Sequence, residues 1–70
     1  MATEDFLKRY RAGQRDFFGA DLSGSDLSMA SLTGAELTGA NLHWASVADS
    51  QLAQAASLKG AIMPDETVHD

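Results

Sequence analysis

The feature that most constrains this chain is an apolar residue at every fifth position. An α-helix would rotate each step of five residues by about 140°, so these side chains would form no common face. A β-strand alternates its faces, so an odd step would place successive apolar side chains on opposite sides. The period therefore predicts a chain that turns a corner after each five-residue unit and closes one coil with four corners. The inward central residues are Phe17, Leu22, Leu27, Leu32, Leu37, Leu42, Val47, Leu52, Leu58 and Met63.

A second set of small residues lies two positions before the central ones. Because the inner wall of such a tight coil has room for only a methyl or hydroxyl group, we predict that these side chains also face inward. They are Ala20, Ser25, Ala30, Ala35, Ala40, Ala45, Ser50, Ala56 and Ala61. A coil of about 20 residues would stack the central residues in columns. The predicted columns are Phe17, Leu37 and Leu58; Leu22, Leu42 and Met63; Leu27 and Val47; and Leu32 and Leu52.

Several units resemble the pentapeptide-repeat family, whose unit is written A(D/N)Lxx. The matching segments are Ala20-Asp21-Leu22-Ser23-Gly24, Ala35-Glu36-Leu37-Thr38-Gly39 and Ala40-Asn41-Leu42. The resemblance covers about residues 15–63, and the segments Leu7–Gly13 and Gly60–Asp65 are similar to the flanks of short cyanobacterial members. It implies an all-β solenoid, namely a right-handed four-sided β-helix, here of about 2.5 coils. It implies little about activity, since most of the family has no assigned biochemistry.

The ends of such a stack expose apolar surface and unpaired edges, so they need caps. We divide the chain into a capping helix and linker over 1–14, the β-helix over 15–63 and a tail over 64–70. Thr3 is the predicted N-cap of the short helix, and Gly13 is its predicted stop. The side chains expected to cover the mouth of the first coil are Phe6, Leu7 and Tyr10. We also expect Phe18 to pack under this helix.

One extra residue interrupts the period between Leu52 and Leu58. We predict a bulged corner over residues 53–57, after which Ala56 and Leu58 resume the inward positions. The C-terminal end has few apolar residues around Pro64. We therefore expect it to be closed poorly, or by another molecule.

Charge and composition exclude several classes of function. Residues 16–70 hold eight acids and one base, Lys59, within a chain of net charge −5. Such an acidic body repels phosphate, so we expect no direct nucleic-acid binding. The chain has no cysteine, no apolar run of membrane-spanning length and an acidic start at Glu4 and Asp5. These features predict no disulfide, no membrane span, no signal peptide and a cytoplasmic location.

The chain offers no constellation for catalysis, so we expect no enzyme activity and no cofactor. Its two histidines, His43 and His69, lie far apart in sequence, which does not favour a metal site. No pattern places a serine beside a histidine and an acid. Outward carboxylates in water, such as Asp21 and Asp26, are not expected to act as tuned acid–base groups.

The residues most suited to binding a partner are outward-facing and apolar or aromatic. Met29, His43 and Trp44 occupy outward positions where smaller residues are more usual, and such side chains are favoured at interfaces. The alternative for Trp44 is a structural role, with the indole lying flat over Gly24. We therefore predict a non-catalytic structural or protein-interaction module that binds an unidentified protein or associates with itself through an open coil end.

A second hypothesis comes from the family resemblance, which implies that some members mimic DNA and act on gyrase. The acidic residues Asp21, Asp26 and Glu36 agree with this hypothesis. A stack about 12 Å tall would span only about four base pairs, so its length argues against the hypothesis.

Overall fold

The computed structural model describes residues 2–70, so Met1, the first residue of the predicted capping segment, lies outside the described residues. Two helices are present in this range, α1 (Thr3–Arg11) and α2 (Asp49–Leu52). The β-structure in the same range consists of isolated bridges rather than extended strands. The principal dimensions are 29 × 20 × 20 Å.

Parallel β-bridges define how successive turns of the chain stack. The first bridges join residues 20 apart, and the later ones join residues 21 apart. They are Asp16 to Glu36, Asp21 to Asn41, Asp26 to Ser46, Glu36 to Ser57 and Asn41 to Ile62. The spacing of 20 equals four five-residue units, and the extra residue enters between Ser46 and Ser57. We call residues 16–35, 36–56 and 57–63 the first, second and third coils.

The core consists of aliphatic and small side chains inside these coils, together with Phe17 and with Phe6 of α1. Its buried members are Phe6, Phe17, Leu22, Ser25, Leu27, Leu32, Ala35, Leu37, Ala40, Leu42, Ala45, Leu52 and Ala61. Half-buried residues pack around them, including Ala20, Ala30, Val47, Leu58 and Met63. The central residues are therefore buried throughout the first coil, whereas burial is partial at Val47 and at Leu58 and Met63 of the third coil.

Two of the predicted inward small residues are in fact exposed. Ser50 lies in α2, where the chain leaves the regular coil path, and its side chain faces solvent. Ala56 is joined to the coil above through its N–H, which donates to the Ala35 carbonyl at 2.8 Å. Its side chain is nevertheless exposed, and the preceding Ala55 is the half-buried residue that packs against the core. The prediction for both residues was wrong because the repeat is irregular here.

The spacing of the bridges changes from 20 at Asp26–Ser46 to 21 at Glu36–Ser57, which agrees with the extra residue predicted after Leu52. A helical turn that the sequence pattern did not predict, α2, comes directly before this segment. The turn positions that hold glycine in five other units hold Asp49 and Gln54 here, and the segment between is rich in helix-forming residues. The Gln51 side chain supports α2 from within the coil. Its Nε2 donates to the Leu27 carbonyl at 2.7 Å and to the Ala30 carbonyl at 2.8 Å. Its Oε1 accepts from the Ala48 N–H at 2.8 Å.

Helix α1 covers the first coil through Phe6, which is fully buried and lies 4.6 Å from Phe17 between ring centroids. The predicted N-cap at Thr3 was wrong. Thr3 is the first helical residue, Ala2 occupies the cap position, and no side chain caps the helix. Phe18 is 59% exposed and does not pack under the helix, because Phe6 fills the space above Phe17.

The C-terminal end of α1 is fixed by a turn and by a tyrosine. The Gly13 N–H donates to the Tyr10 carbonyl and the Gln14 N–H donates to the Arg9 carbonyl, each at 3.0 Å. With φ +102° at Gly13, this is the hydrogen-bond pattern of a Schellman motif. The Tyr10 hydroxyl donates to the Thr33 carbonyl at 2.7 Å, which ties α1 to the first coil.

The C-terminal tail, residues 64–70, returns along the third coil. Ile62 and Val68 form an antiparallel bridge, and the Met63 N–H donates to the Thr67 carbonyl at 2.7 Å. The His69 N–H donates to the Ala61 carbonyl at 2.9 Å. The chain's own tail therefore covers part of the C-terminal end of the stack, which we expected to be closed poorly or by another molecule.

Candidate interaction surface

The most distinctive surface is a turn of the second coil that displays a tryptophan. The Ala45 N–H donates to the Leu42 carbonyl at 2.9 Å and closes a turn with His43 and Trp44 at its centre. Trp44 has φ +63°, in the left-handed region. The equivalent residue of the coil above, Gly24, adopts nearly the same φ, +69°, but has no Cβ. A residue with a Cβ is strained by about 1–2 kcal/mol in this conformation. The indole is therefore displayed from a backbone that glycine would adopt without strain.

The Trp44 side chain is 74% exposed and stacks on His43, with ring centroids 4.0 Å apart. Since the imidazole covers one face of the indole and the residue is mostly exposed, the opposite face is open to solvent. The His43 N–H donates to the Asn41 Oδ1 at 3.0 Å, which orients the start of the turn. A Cβ placed at Gly24 would have nothing within 4 Å, so the indole does not lie flat over Gly24.

His43 also connects the second coil to the tail. Its Nε2 lies 2.8 Å from the Glu66 Oε1. The Trp44 N–H donates to the Pro64 carbonyl at 3.4 Å. Glu66 has φ +74°, so the two non-glycine residues with positive φ in the described chain both lie at this joint. We call His43, Trp44, Pro64 and Glu66 the tryptophan corner.

Met29 does not belong to the tryptophan corner, although the sequence grouped it with His43 and Trp44. It is 96% exposed and lines a separate groove beside α1, together with Leu7, Tyr10 and Arg11. The structure therefore brings two of the three predicted partner residues into contact and leaves the third elsewhere.

Outward aspartates serve the turns rather than a reaction. The Asp21 carboxylate accepts from the hydroxyl and the N–H of Ser23, at 2.7 and 3.1 Å. Asp26 accepts from Ser28 at the same distances. Hydrogen bonds from the serine hydroxyls, and then from the backbone N–H groups, lower the pKa of both carboxyls. These groups therefore remain ionised and impart negative charge to the walls.

Sequence reasoning missed four residues that organise the molecule, namely Gln51, Glu66, Arg15 and Ser23. Arg15 lies over the Tyr10 ring, with its guanidinium carbon 3.8 Å from the centroid, and its Nη1 donates to the Tyr10 carbonyl at 2.9 Å. The role of Ser23 was readable from the pattern of a serine two residues after an aspartate. The contacts of Gln51 with the first coil and of Glu66 with His43 join residues more than 20 positions apart, and the sequence pattern did not connect them. What the sequence did indicate is that Glu66 stands at a turn position where glycine is more usual.

The described residues contain no group of three or more histidine and acidic side chains placed to hold a metal ion. None of the helices in residues 2–70 has the length and apolar character needed to cross a membrane. The tryptophan corner presents the open face of an indole, a histidine and a carboxylate, and its indole is exposed to solvent.

The regular stacking register, with one inward apolar residue in each unit of five, defines the protein as a β-solenoid built from short repeats. A family model for pentapeptide repeats matches residues 16–52 in eight copies, which is just over half of the chain. The chain belongs to the pentapeptide-repeat family. The match ends at Leu52, which is also where α2 ends. Neither the curated proteins nor the solved structures compared with the chain gave a match.

Proposed function

We propose that this protein is a non-catalytic interaction module of the cytoplasm that binds a protein partner at the tryptophan corner. The scaffold for this role is a right-handed, four-sided β-helix. The stacking spacing of four five-residue units supports the four sides, and a turn after most units supports the corners.

The observation that carries this proposal is the exposed indole of Trp44 on a strained backbone. Strained conformations persist where the surrounding structure enforces them, and they cluster at functional positions. A large aromatic side chain with an open face contributes strongly to binding when a partner buries it. A purely structural turn needs only glycine, as at Gly24 and Gly39. The presence of tryptophan at this position therefore supports a contact with another molecule.

The DNA-mimic alternative receives less support from the dimensions of the molecule. The longest extent is 29 Å, and this length includes α1. It corresponds to about eight or nine base pairs at about 3.4 Å each. The acidic walls alone do not favour gyrase over any other basic partner.

The test is an affinity capture with immobilised protein from a lysate of the source organism. Trp44→Gly removes the indole and leaves a residue that adopts the same φ without strain. Phe18→Ser and Met29→Ser are matched controls, because each removes an exposed apolar side chain from another place. A protein captured by the wild type and by both controls, but lost with Trp44→Gly, supports the proposal. Equal capture by all four proteins, or capture of nothing, contradicts it.

A further inference from the structure

The tail occupies the place where a further coil would begin. In the first coil the Gly19 N–H donates to the Thr38 carbonyl of the coil below, at 2.9 Å. In the second coil the Gly39 N–H donates to the Lys59 carbonyl, also at 2.9 Å. The equivalent donor of the third coil, the Gly60 N–H, donates to the carbonyl of His69 at 2.8 Å. Residues 60–63 therefore form a strand edge that accepts residues 67–69.

Little besides backbone hydrogen bonds holds the tail on this edge. Val68 is 63% exposed, so its pairing with Ile62 buries little apolar surface. Among the described residues, the ion pair that joins the tail to a coil is His43–Glu66, and its carboxylate side is exposed. Segments with few buried contacts open locally at a low cost in free energy.

The hinge of the tail is short and strained. Residues 64–66 reverse the chain between Met63 and Thr67, and Glu66 holds φ +74° to do so. Short hinge loops under strain favour domain swapping, because the open form keeps the same contacts and releases the strain. Pro64 has a fixed φ that is compatible with an extended hinge.

We propose that the edge at residues 60–63 accepts the tail of a second copy of this chain, giving a tail-exchanged dimer. Each pairing that the tail makes within one chain is made again between two chains. The open hinge no longer requires a positive φ at Glu66. This self-association does not depend on a partner at the tryptophan corner, so the two proposals stand or fall separately.

Engineered cysteines provide the test, since the chain has none of its own. The bonds from Met63 to Thr67 and from His69 to Ala61 flank the Ile62–Val68 bridge, which makes it a non-hydrogen-bonded antiparallel pair. The Cα atoms of such pairs are about 4.5 Å apart, within the range for a disulfide. Ile62→Cys and Val68→Cys are prepared as separate proteins, mixed and oxidised. Because each protein carries one cysteine, any 62–68 disulfide must join two chains.

Tail exchange predicts that 62–68 disulfides, identified as linked peptides by mass spectrometry, form well above the proportion expected from random pairing of the two cysteines. Random pairing of equal amounts would already make the 62–68 link more frequent than the 62–62 or the 68–68 link, so the comparison is with that proportion. The double variant Ile62→Cys/Val68→Cys, oxidised at low concentration, should close within one chain and so verify the geometry. If the double variant closes but the mixture gives 62–68 links at no more than the random proportion, the proposal is wrong.

A second measurement uses variants without cysteine, so its result does not depend on how the cysteine variants fold. Glu66→Ala and Glu66→Gly both remove the carboxylate that meets His43, but only glycine relaxes the hinge. Because both hinges open in the dimer and each releases about 1 kcal/mol of strain, analytical ultracentrifugation should give a dimerisation constant about 30-fold higher for Glu66→Ala than for Glu66→Gly, a ratio equivalent to about 2 kcal/mol. Equal constants, or monomers at all concentrations in both variants, contradict the proposal.

Discussion

The side chain of Gln51 offers the most decisive test of the packing between coils. Its amide nitrogen donates at 2.7 and 2.8 Å to two carbonyls of the first coil, those of Leu27 and Ala30. These bonds connect the coils at the wall where α2 interrupts the regular bridges. Gln51→Glu keeps the size and shape of the side chain but replaces the donor with a carboxylate oxygen. We expect this one change to loosen the second coil from the first.

The expected loss follows from the two bonds and from the groups left facing each other. Each bond contributes about 1 kcal/mol, so the loss of both costs about 2 kcal/mol. A carboxylate directed at two carbonyl oxygens in a half-buried position adds at least about 1 kcal/mol. The total, about 3 kcal/mol, is a large part of the stability of a chain of this size. Protonation of the introduced carboxyl in acid restores one donor, so the deficit should shrink as the pH falls.

Urea unfolding measures this change, with fluorescence of Trp44 and circular dichroism as two probes. For a slope of about 1 kcal/mol per M, the midpoint of Gln51→Glu should fall by about 3 M. The matched control is Gln54→Glu, because the Gln54 Oε1 accepts from the Thr33 hydroxyl at 2.8 Å and a carboxylate still accepts there. The control should move by less than about 0.5 kcal/mol. Equal effects of the two substitutions, or no effect of Gln51→Glu, would refute the role assigned to the side-chain donor.

Four further changes test other parts of the structure. Trp44→Gly should be more stable than Trp44→Ala by about 1 kcal/mol in thermal or urea melts, the reverse of the usual order, because φ is +63°. Ser28→Ala should raise the pKa of Asp26 towards its ordinary value in an NMR titration, since the serine hydroxyl is the main cause of the lowered pKa. Because the pKa of Asp26 is lower in the folded state, its ionised carboxylate stabilises the fold at pH values above the ordinary carboxyl pKa. This stabilisation is lost as the pH falls through the pKa of the folded state, so Ser28→Ala should lack this part of the acid dependence of stability. Leu37→Asp should abolish the folded circular dichroism spectrum, because it buries an unpaired charge at a fully buried site. Phe6→Ala should cost about 3–5 kcal/mol in urea unfolding and leave the first coil uncovered, and a smaller loss would show that α1 is dispensable.

The regular part of the fold was readable from the sequence because its signal is local and repeated. Each five-residue unit carries its own apolar residue and small residue, and most carry a turn, so the same inference is made several times along the chain. The inward positions of Leu22 and Leu37 and the join from Asp16 to Glu36 follow from this period alone. The family assignment depends on the same units, which are the ones that the family model matches.

The candidate site was only half readable. An aromatic residue at an outward position identifies Trp44, and an adjacent histidine is visible beside it. The contact of His43 with Glu66 spans 23 residues and requires that the tail turn back at Pro64. No periodic pattern covers residues 64–70, so the sequence did not indicate that the tail pairs with the third coil.

What the sequence by itself determined is therefore the repeating cross-section, because a five-residue unit specifies its own corner and its own buried side chain. What only the tertiary structure decided is how the repeat is interrupted and how it ends. The residues of α2 are compatible with either a helical turn or a regular coil wall. The helical turn forms where the Gln51 side chain donates to the carbonyls of Leu27 and Ala30 in the coil above. The path of the tail depends on the strand edge at residues 60–63, which exists only after the third coil has formed. Both outcomes are set by hydrogen bonds between residues distant in sequence, which exist only once the coils are stacked.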